Sequence, residues 1–236
     1  MTTSVPASRG HRALLAGWGL AASSATELVD VDAGTLAAAV KDLPARGGIA
    51  RGLGRSYGDP AQNAGGHVLR LAPTNEHIVI DDVAGTVTAG AGVSFDDLLA
   101  VIVPRGYFVP VTPGTRFVTI GGAIASDIHG KNHHADGSFG DHVTSLRMML
   151  ADTTVVTVGP DNDPDLFWAT VGGMGLTGVI IDATFRLIPV DSSRMSVETR
   201  RIDNLDDIMS RMAASDSNVR YSVAWIDLLA KGKHLG

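Results

Sequence analysis

The chain has 236 residues, 44% of them hydrophobic and 19% charged, which is the composition of a globular protein with material for one large domain or two small ones. A net charge of −6 without any basic run argues against a nucleic-acid backbone as partner, and the absence of cysteine excludes disulfides, thiolate metal sites and cysteine nucleophiles. No apolar run approaches the roughly 18 residues that a membrane span needs.

The N-terminal stretch RGHRALLAGWGLAASSA loosely mimics a secretory leader, with basic, then apolar, then small residues. Gly17, Trp18 and Gly19 interrupt its apolar part, so it reads as part of the fold, with a cleaved leader as the alternative. Residues 25–31 read as a short strand, 33–45 as an alanine-rich helix stopped at Pro44, and 47–52 as a returning strand, together a βαβ unit. A glycine-studded loop without periodicity fills 51–66. Strands follow at 67–71, 76–81 and 85–92. Ser94 caps a helix over 94–104 whose first turn is acidic. The segment 107–130 runs from extended chain into a glycine turn and then a short helix of small residues. Residues 143–160 read as a β-hairpin turning near Asp152, 163–173 as a short helix, and 178–189 as a long buried strand ending at Pro189. A helical pattern at LDDIMSRMAA and a strand over 220–229 complete the pass. The fold class is α+β, with a domain boundary near Pro189, giving domains of 1–190 and 191–236.

Much of the glycine, 28 residues in all, lies in three clusters, which points to loops that bring backbone close to a ligand. GMGLTG (173–178) matches the dinucleotide fingerprint G-x-G-x-x-G in letters only. A helix precedes it and a strand follows, the reverse of the order that brings a pyrophosphate to a helix N-terminus, so it reads as a tight packed turn. The loop at 51–59 leaves a strand, carries Gly52, Gly54 and Gly58, and offers a run of backbone N–H groups. Such runs form nests for anionic oxygens, and Arg51, Arg55 and Ser56 add donors beside it. The bland alternative is a solvent loop; three spaced glycines with two arginines favour a diphosphate ligand. In PGTRFVTIGGAIASDIHG (113–130) the small residues would let a flat ligand approach the backbone, and helix-on-sheet packing alone would not need Thr115, Thr119 and Asp127 as well.

DIHGKNHHADG (127–137) gathers three histidines, a lysine and two aspartates. His129 and His133 are four apart, yet Gly130 and Asn132 between them are poor helix formers, and no glutamate or cysteine completes a zinc set. The metal reading is set aside.

Taken together, RGLGRSYGD, PGTRFVTIGGAIASDIHGKNHH and LFWATVGGMGLTGVI resemble the vanillyl-alcohol-oxidase or PCMH-type flavoprotein family, which holds FAD between two α+β subdomains. With GWG, AQN, IHGKNHH and GSFG added, the chain is similar to the branch of that family that oxidises the 2′-hydroxyl of polyprenylphosphoryl-ribose. The resemblance implies that Ala50, Arg51, Gly52, Leu53, Gly54, Arg55, Ser56, Tyr57, Gly58 and Asp59 cradle the pyrophosphate. It implies that Gly114, Thr119, Ile120, Gly121, Gly122, Ser126, Asp127, Ile128 and His129 line the flavin, and that Ile180 presents backbone to the adenine side. His129 and Lys131 would form a substrate-side wall, while His133 and His134 would be satisfied by the loop's own carbonyls. Arg55 stands where many relatives carry a flavin-tethering histidine, so FAD should be held non-covalently; Ser126 stands where that branch usually has cysteine. The implied partners are a polyprenyl-phosphate sugar and an NADH-dependent ketoreductase subunit, and the implied place is the cell envelope, periplasmic or peripheral at the membrane, with the cytoplasm as alternative. Members of the family are about twice this long, so residues 191–236 would be the start of a substrate domain whose remainder holds the catalytic base, and no base is assigned. The alternatives are an FAD-binding fragment without turnover, or an alditol or aldonolactone oxidase, which Arg55 disfavours.

Overall fold

The computed structural model describes residues 10–72, 78–226 and 229. The N-terminal stretch is part of the fold. His11–Ala16 forms β1, which pairs antiparallel with β2 (Ser23–Val31). Helix α1 (Leu36–Lys41) leads to β3 (Gly48–Arg51), and β4 (His67–Leu71) inserts between β2 and β3, parallel to both. The βαβ unit therefore exists, but its two strands are separated by a third, in the sheet order β1-β2-β4-β3. Helix α1 is shorter than the 33–45 expected. Asp32 accepts the N–H groups of Gly34 and Thr35, holding a turn that delays the start, and the chain leaves the helix at Asp42, two residues before Pro44. Its buried face, Leu36, Ala39 and Val40, packs on Val29, Val31 and Leu69.

The second sheet is antiparallel, in the order β5-β6-β10-β8-β9. Its strands are β5 (Ile78–Asp81), β6 (Thr86–Gly90), β8 (Val143–Met149), β9 (Val155–Val158) and β10 (Val179–Arg186). The expected hairpin is β8–β9, and its turn is held by Asp152, which accepts the Thr154 N–H at 2.8 Å. The expected 178–189 strand breaks after Arg186 and resumes as β11 (Ile188–Pro189) against β7 (Tyr107–Phe108). Helix α2 (Phe95–Ile102) starts where Ser94 accepts the Asp97 N–H, and buries Phe95, Leu98 and Ile102 at helical spacing. Phe139 packs tilted on Phe95 at 5.4 Å and edge-on to Phe185 at 5.1 Å through this core. Each such fully buried side chain contributes roughly 1.5–3 kcal/mol.

Strand alternation joins the two halves. On β8 and β10, Met148 and Ile180 face the larger core, whereas the adjacent Met149 and Val179 face the smaller one around α1. Leu71 packs against both. The result is two α+β subdomains that meet along one seam, of the PCMH type. Helices α3 (Ile120–Ala125), α4 (His133–Asp136) and α5 (Pro164–Thr170) sit on the second, and α6 (Leu205–Ser215) follows it with no buried residue. The strand expected at 220–229 does not form over 220–226, and residues 227–228 lie outside the described residues, as does the first part of the strand expected at 76–81.

Candidate functional site

A cavity of about 240 Å³ opens at the seam, and eight of its 24 lining residues are glycine. The loop after β3 supplies one wall, from Ala50 to Ser56. The opposite wall comes from Ala91 and Gly92 after β6 and from Thr119, Gly121, Gly122, Ala125 and Ser126 on and around α3. Ile128 and Ile180 complete the expected residues that the structure brings together here.

The chemistry of the first wall lies in its backbone. From Leu53 to Asp59 no N–H donates to any described residue, so the loop offers a row of unspent donors. Such a row suits the oxygens of a diphosphate. The glycines are fixed by the protein's own packing as much as by ligand access. A Cβ on Gly52 would collide with Thr119 Oγ1, and one on Gly54, whose φ is +66°, would collide with the Arg51 guanidinium. Thr119 Oγ1 cannot move freely, because it caps α3 by accepting the Gly122 N–H at 3.1 Å. Gly92 comes equally close to another strand: a Cβ there would lie 2.7 Å from the Leu71 carbonyl.

The two arginines divide their work differently from the expectation. Arg51 is a brace. Its guanidinium donates to the carbonyls of Ala16 at 2.5 Å and Ala61 at 3.0 Å, and partial burial lowers its pKa from the ordinary arginine range. Arg55 spans the seam, with Nε donating to the Phe117 carbonyl at 3.1 Å and the guanidinium 4.4 Å from the Trp18 ring centroid. Its Nη groups make no bond to a described residue and are open to an anion. GWG underpins this loop: Trp18 N–H donates to the Ser56 carbonyl at 2.7 Å, and a Cβ on Gly17 or Gly19 would run into the carbonyls of Gly58 or Tyr57.

Several expected residues lie off the cavity wall. Tyr57 is 76% exposed, and Gly58 and Asp59 follow it away from the cavity. Gly114 has nothing within 4 Å of an added Cβ. Ile120 is fully buried in the larger core. Asp127, in left-handed conformation (φ 40°), turns its carboxylate to the Gly140 N–H at 2.9 Å and so fixes the exit from α3. His129 is exposed, one residue past Ile128, with its ring 5.5 Å from that of His133, and Lys131 is half-buried with its ammonium unpaired among the described residues. The loop's own carbonyls do not hold His133 and His134. His133 meets the His129 ring edge-on, and His134 Nε2 bonds the Val219 carbonyl at 2.9 Å. Asn132 is the loop's buried hub, donating to the Pro110 carbonyl and the Asp136 carboxylate, each at 2.6 Å.

The turn at 173–178 does join helix α5 to strand β10, so it is no dinucleotide fingerprint. It is more than a packed turn, however. Met174, Gly175 and Gly178 line the cavity, and Met174 N–H donates to the Ala125 carbonyl at 2.8 Å, tying the turn to α3. Sequence reasoning also missed Ala91 and Gly92. Their signal was present in the AGAG run at 89–92, which was absorbed into a strand.

The FAD-binding domain family matches residues 31–159, more than half of the chain. The chain belongs to that family. The matched segment contains the nest and both walls of the seam except Gly17 and the 174–180 turn. Across 94% of its length this FAD-binding domain is 44% identical to the decaprenylphosphoryl-beta-D-ribose oxidase of Mycolicibacterium smegmatis, of which it covers 50%. It is 30% identical over 53% of its length to a putative D-arabinono-1,4-lactone oxidase of Neurospora crassa, covering 22% of that protein. To the L-gulonolactone oxidase of Mus musculus it is 28% identical over 62%, covering 34%. The chain spans half or less of the length of these relatives.

Proposed function

We propose that this chain is the flavin-holding part of an oxidase that converts the 2′-hydroxyl of decaprenylphosphoryl-β-D-ribose to the 2′-ketone, the first half of an epimerisation to the arabinose form used in cell-wall arabinan. The observation that carries the reading is the row of unspent N–H groups from Leu53 to Ser56 on the residues that line a glycine-rich seam, in a chain 44% identical over 94% of its length to such an oxidase. FAD, once bound, supplies the two-electron acceptor. This chain's residues do the holding: the 53–56 amides and the Arg55 Nη groups take the diphosphate, and the Ala91–Gly92 and α3 backbones flank the flat ring. Because an arginine occupies position 55 and the chain has no cysteine, the cofactor is held without a covalent bond. At the substrate the carbon gives up a hydride and the hydroxyl a proton, leaving a carbonyl. His129 and Lys131 follow the cavity-lining Ile128 along the chain as the polar and cationic groups that would hold a phosphorylated sugar.

Residues 1–190 form the flavin domain on this reading, and 191–236 begin a substrate domain. The ketone then requires an NADH-dependent reductase as partner, and a polyprenyl substrate places the enzyme against a membrane at the cell envelope. None of the described helices is long and apolar enough to cross that membrane. The lactone oxidases among the relatives give a second reading, an aldonolactone substrate. Anaerobic addition of decaprenylphosphoryl-ribose or of an aldonolactone to the flavin-loaded protein separates the two. Bleaching by the lipid-linked sugar alone is expected, and bleaching by the lactone alone would overturn the substrate assignment.

A further inference from the structure

Residues 219–222 lie beyond the flavin domain, yet they return to the histidine loop and bond it at three points. Arg220 grips Asp136 with both ends of its fork, Nε to Oδ2 at 2.8 Å and Nη2 to Oδ1 at 2.7 Å. The Val219 carbonyl meets His134 Nε2, and the Ser222 N–H donates to the Lys131 carbonyl at 2.9 Å. Asp136 in turn accepts from the buried Asn132, whose Oδ1 receives the Thr112 N–H and hydroxyl at 3.3 Å each. A continuous chain of bonds thus runs from Arg220 through Asp136 and Asn132 to the backbone at 110–112, and Lys131 lies between its ends.

We propose that 219–222 is a strap and that Arg220 is a positioning residue for the oxidation, fixing the loop that carries His129 and Lys131 beside the cavity. The catalytic half of this inference rests on the substrate reading above; the strap itself does not. Apart from the strap, the loop is held by Asn132, by the Lys131 N–H on the Thr112 carbonyl and by His142 Nε2 on the Asp136 carbonyl at 2.8 Å. Helix α4 is a single turn with no buried residue, and its cap Asn132 makes no side-chain capping bond. Without the strap, Asn132 would keep its bonds to Pro110 and Thr112 but the 133–136 turn would lose its anchors at His134 and Asp136, and Lys131 its bond from Ser222. A bidentate fork is a geometric constraint that lysine cannot reproduce, so Arg220→Lys should recover only part of the effect.

The test uses the flavin-loaded protein and two readouts, amide exchange over 129–137 and steady-state kinetics with the lipid-linked sugar. Arg220→Ala should keep its flavin, speed exchange in this loop by about two- to tenfold, and lower kcat/KM by a similar factor, the lower part of the range of coupling between contacting residues. Asp136→Asn should do the same, and the double variant should be no worse than either single one. Arg200→Ala, which breaks only an exposed pair with Glu198 in the same segment, should leave both readouts unchanged. Unchanged loop exchange in Arg220→Ala overturns the strap. Faster exchange with unaltered kinetics overturns the positioning role. A flavin-loaded protein that oxidises an aldonolactone but not the lipid-linked sugar would instead sink the substrate reading, and the exchange result would still decide the strap on its own.

Discussion

At the scale of single residues, the seam is built from backbone, and its glycines are the points of failure. Gly54 sits at φ +66° against the Arg51 guanidinium. Gly54→Val places a β-branched side chain in a region such residues avoid and crowds the nest, so flavin content should fall to near zero, measured as the flavin-to-protein absorbance ratio. Gly175, at φ +81°, faces only Ile49 Cδ1 at 3.5 Å, so Gly175→Ala should cost about 1–2 kcal/mol in strain. Because Gly175 also lines the cavity, that variant should weaken FAD as well, though less than Gly54→Val does. Arg51→Ala should act through the fold, losing about 1–3 kcal/mol for two charge-assisted bonds, read as a lower unfolding midpoint. Acid should act through two ion pairs. The hydrogen bonds from Arg70 and Arg220 hold the carboxyls of Asp30 and Asp136 below their ordinary 3.8. Groups depressed in this way stabilise the fold fully above about pH 4 and release that contribution as pH falls through the folded values. The melting temperature should therefore drop below about pH 4, and Asp136→Asn should flatten part of that limb. Arg51's role was invisible in the sequence because its partners are carbonyls 10 and 35 residues away, whereas the glycine spacing pointed to the loop whose Gly52 and Gly54 line the cavity.

At the scale of elements, local chemistry made some boundaries legible and others not. The Ser94-x-x-Asp97 pair marks the start of α2, and the structure shows that cap; Ser94→Ala should cost about 1 kcal/mol. In a protein of this size that is a fall of about 2–4 °C in the melting midpoint. Strand β1 was not legible, because HRALLA does not alternate, and only its pairing with β2 makes it a strand. The 220–229 stretch failed the opposite way. Its apolar pattern looks like a strand, but Val219, Arg220 and Ser222 bond the histidine loop, and residues 221–226 pair with no strand. Thr119→Val should be the most informative change to a helix, since one hydroxyl both caps α3 and packs on Gly52. Loss of flavin beyond what its loss of stability explains is expected, and equal effects of Ser94→Ala and Thr119→Val on flavin would contradict it.

At the scale of the molecule, two α+β halves are joined by β8 and β10, whose alternating side chains feed both cores, and the seam proposed to hold the cofactor lies where the halves meet. A ligand that contacts both halves should stabilise them together. Saturation with FAD at about 100 times its Kd adds about 2.7 kcal/mol, so the melting midpoint should rise with FAD concentration in wild type and stay flat in Gly54→Val. The fold class and the flavin seam could be read from the glycine loops and the family resemblance, while the strap could not, since its contacts bridge about 85 residues. The measurement that bears most directly on the seam is acid precipitation of the flavin-loaded protein with flavin assayed in both fractions. All of the flavin should appear in the supernatant as FAD, close to one per chain. Flavin remaining on the polypeptide, or full occupancy retained by Gly54→Val at unchanged stability, would contradict a non-covalent cradle built on the loop from Gly52 to Ser56.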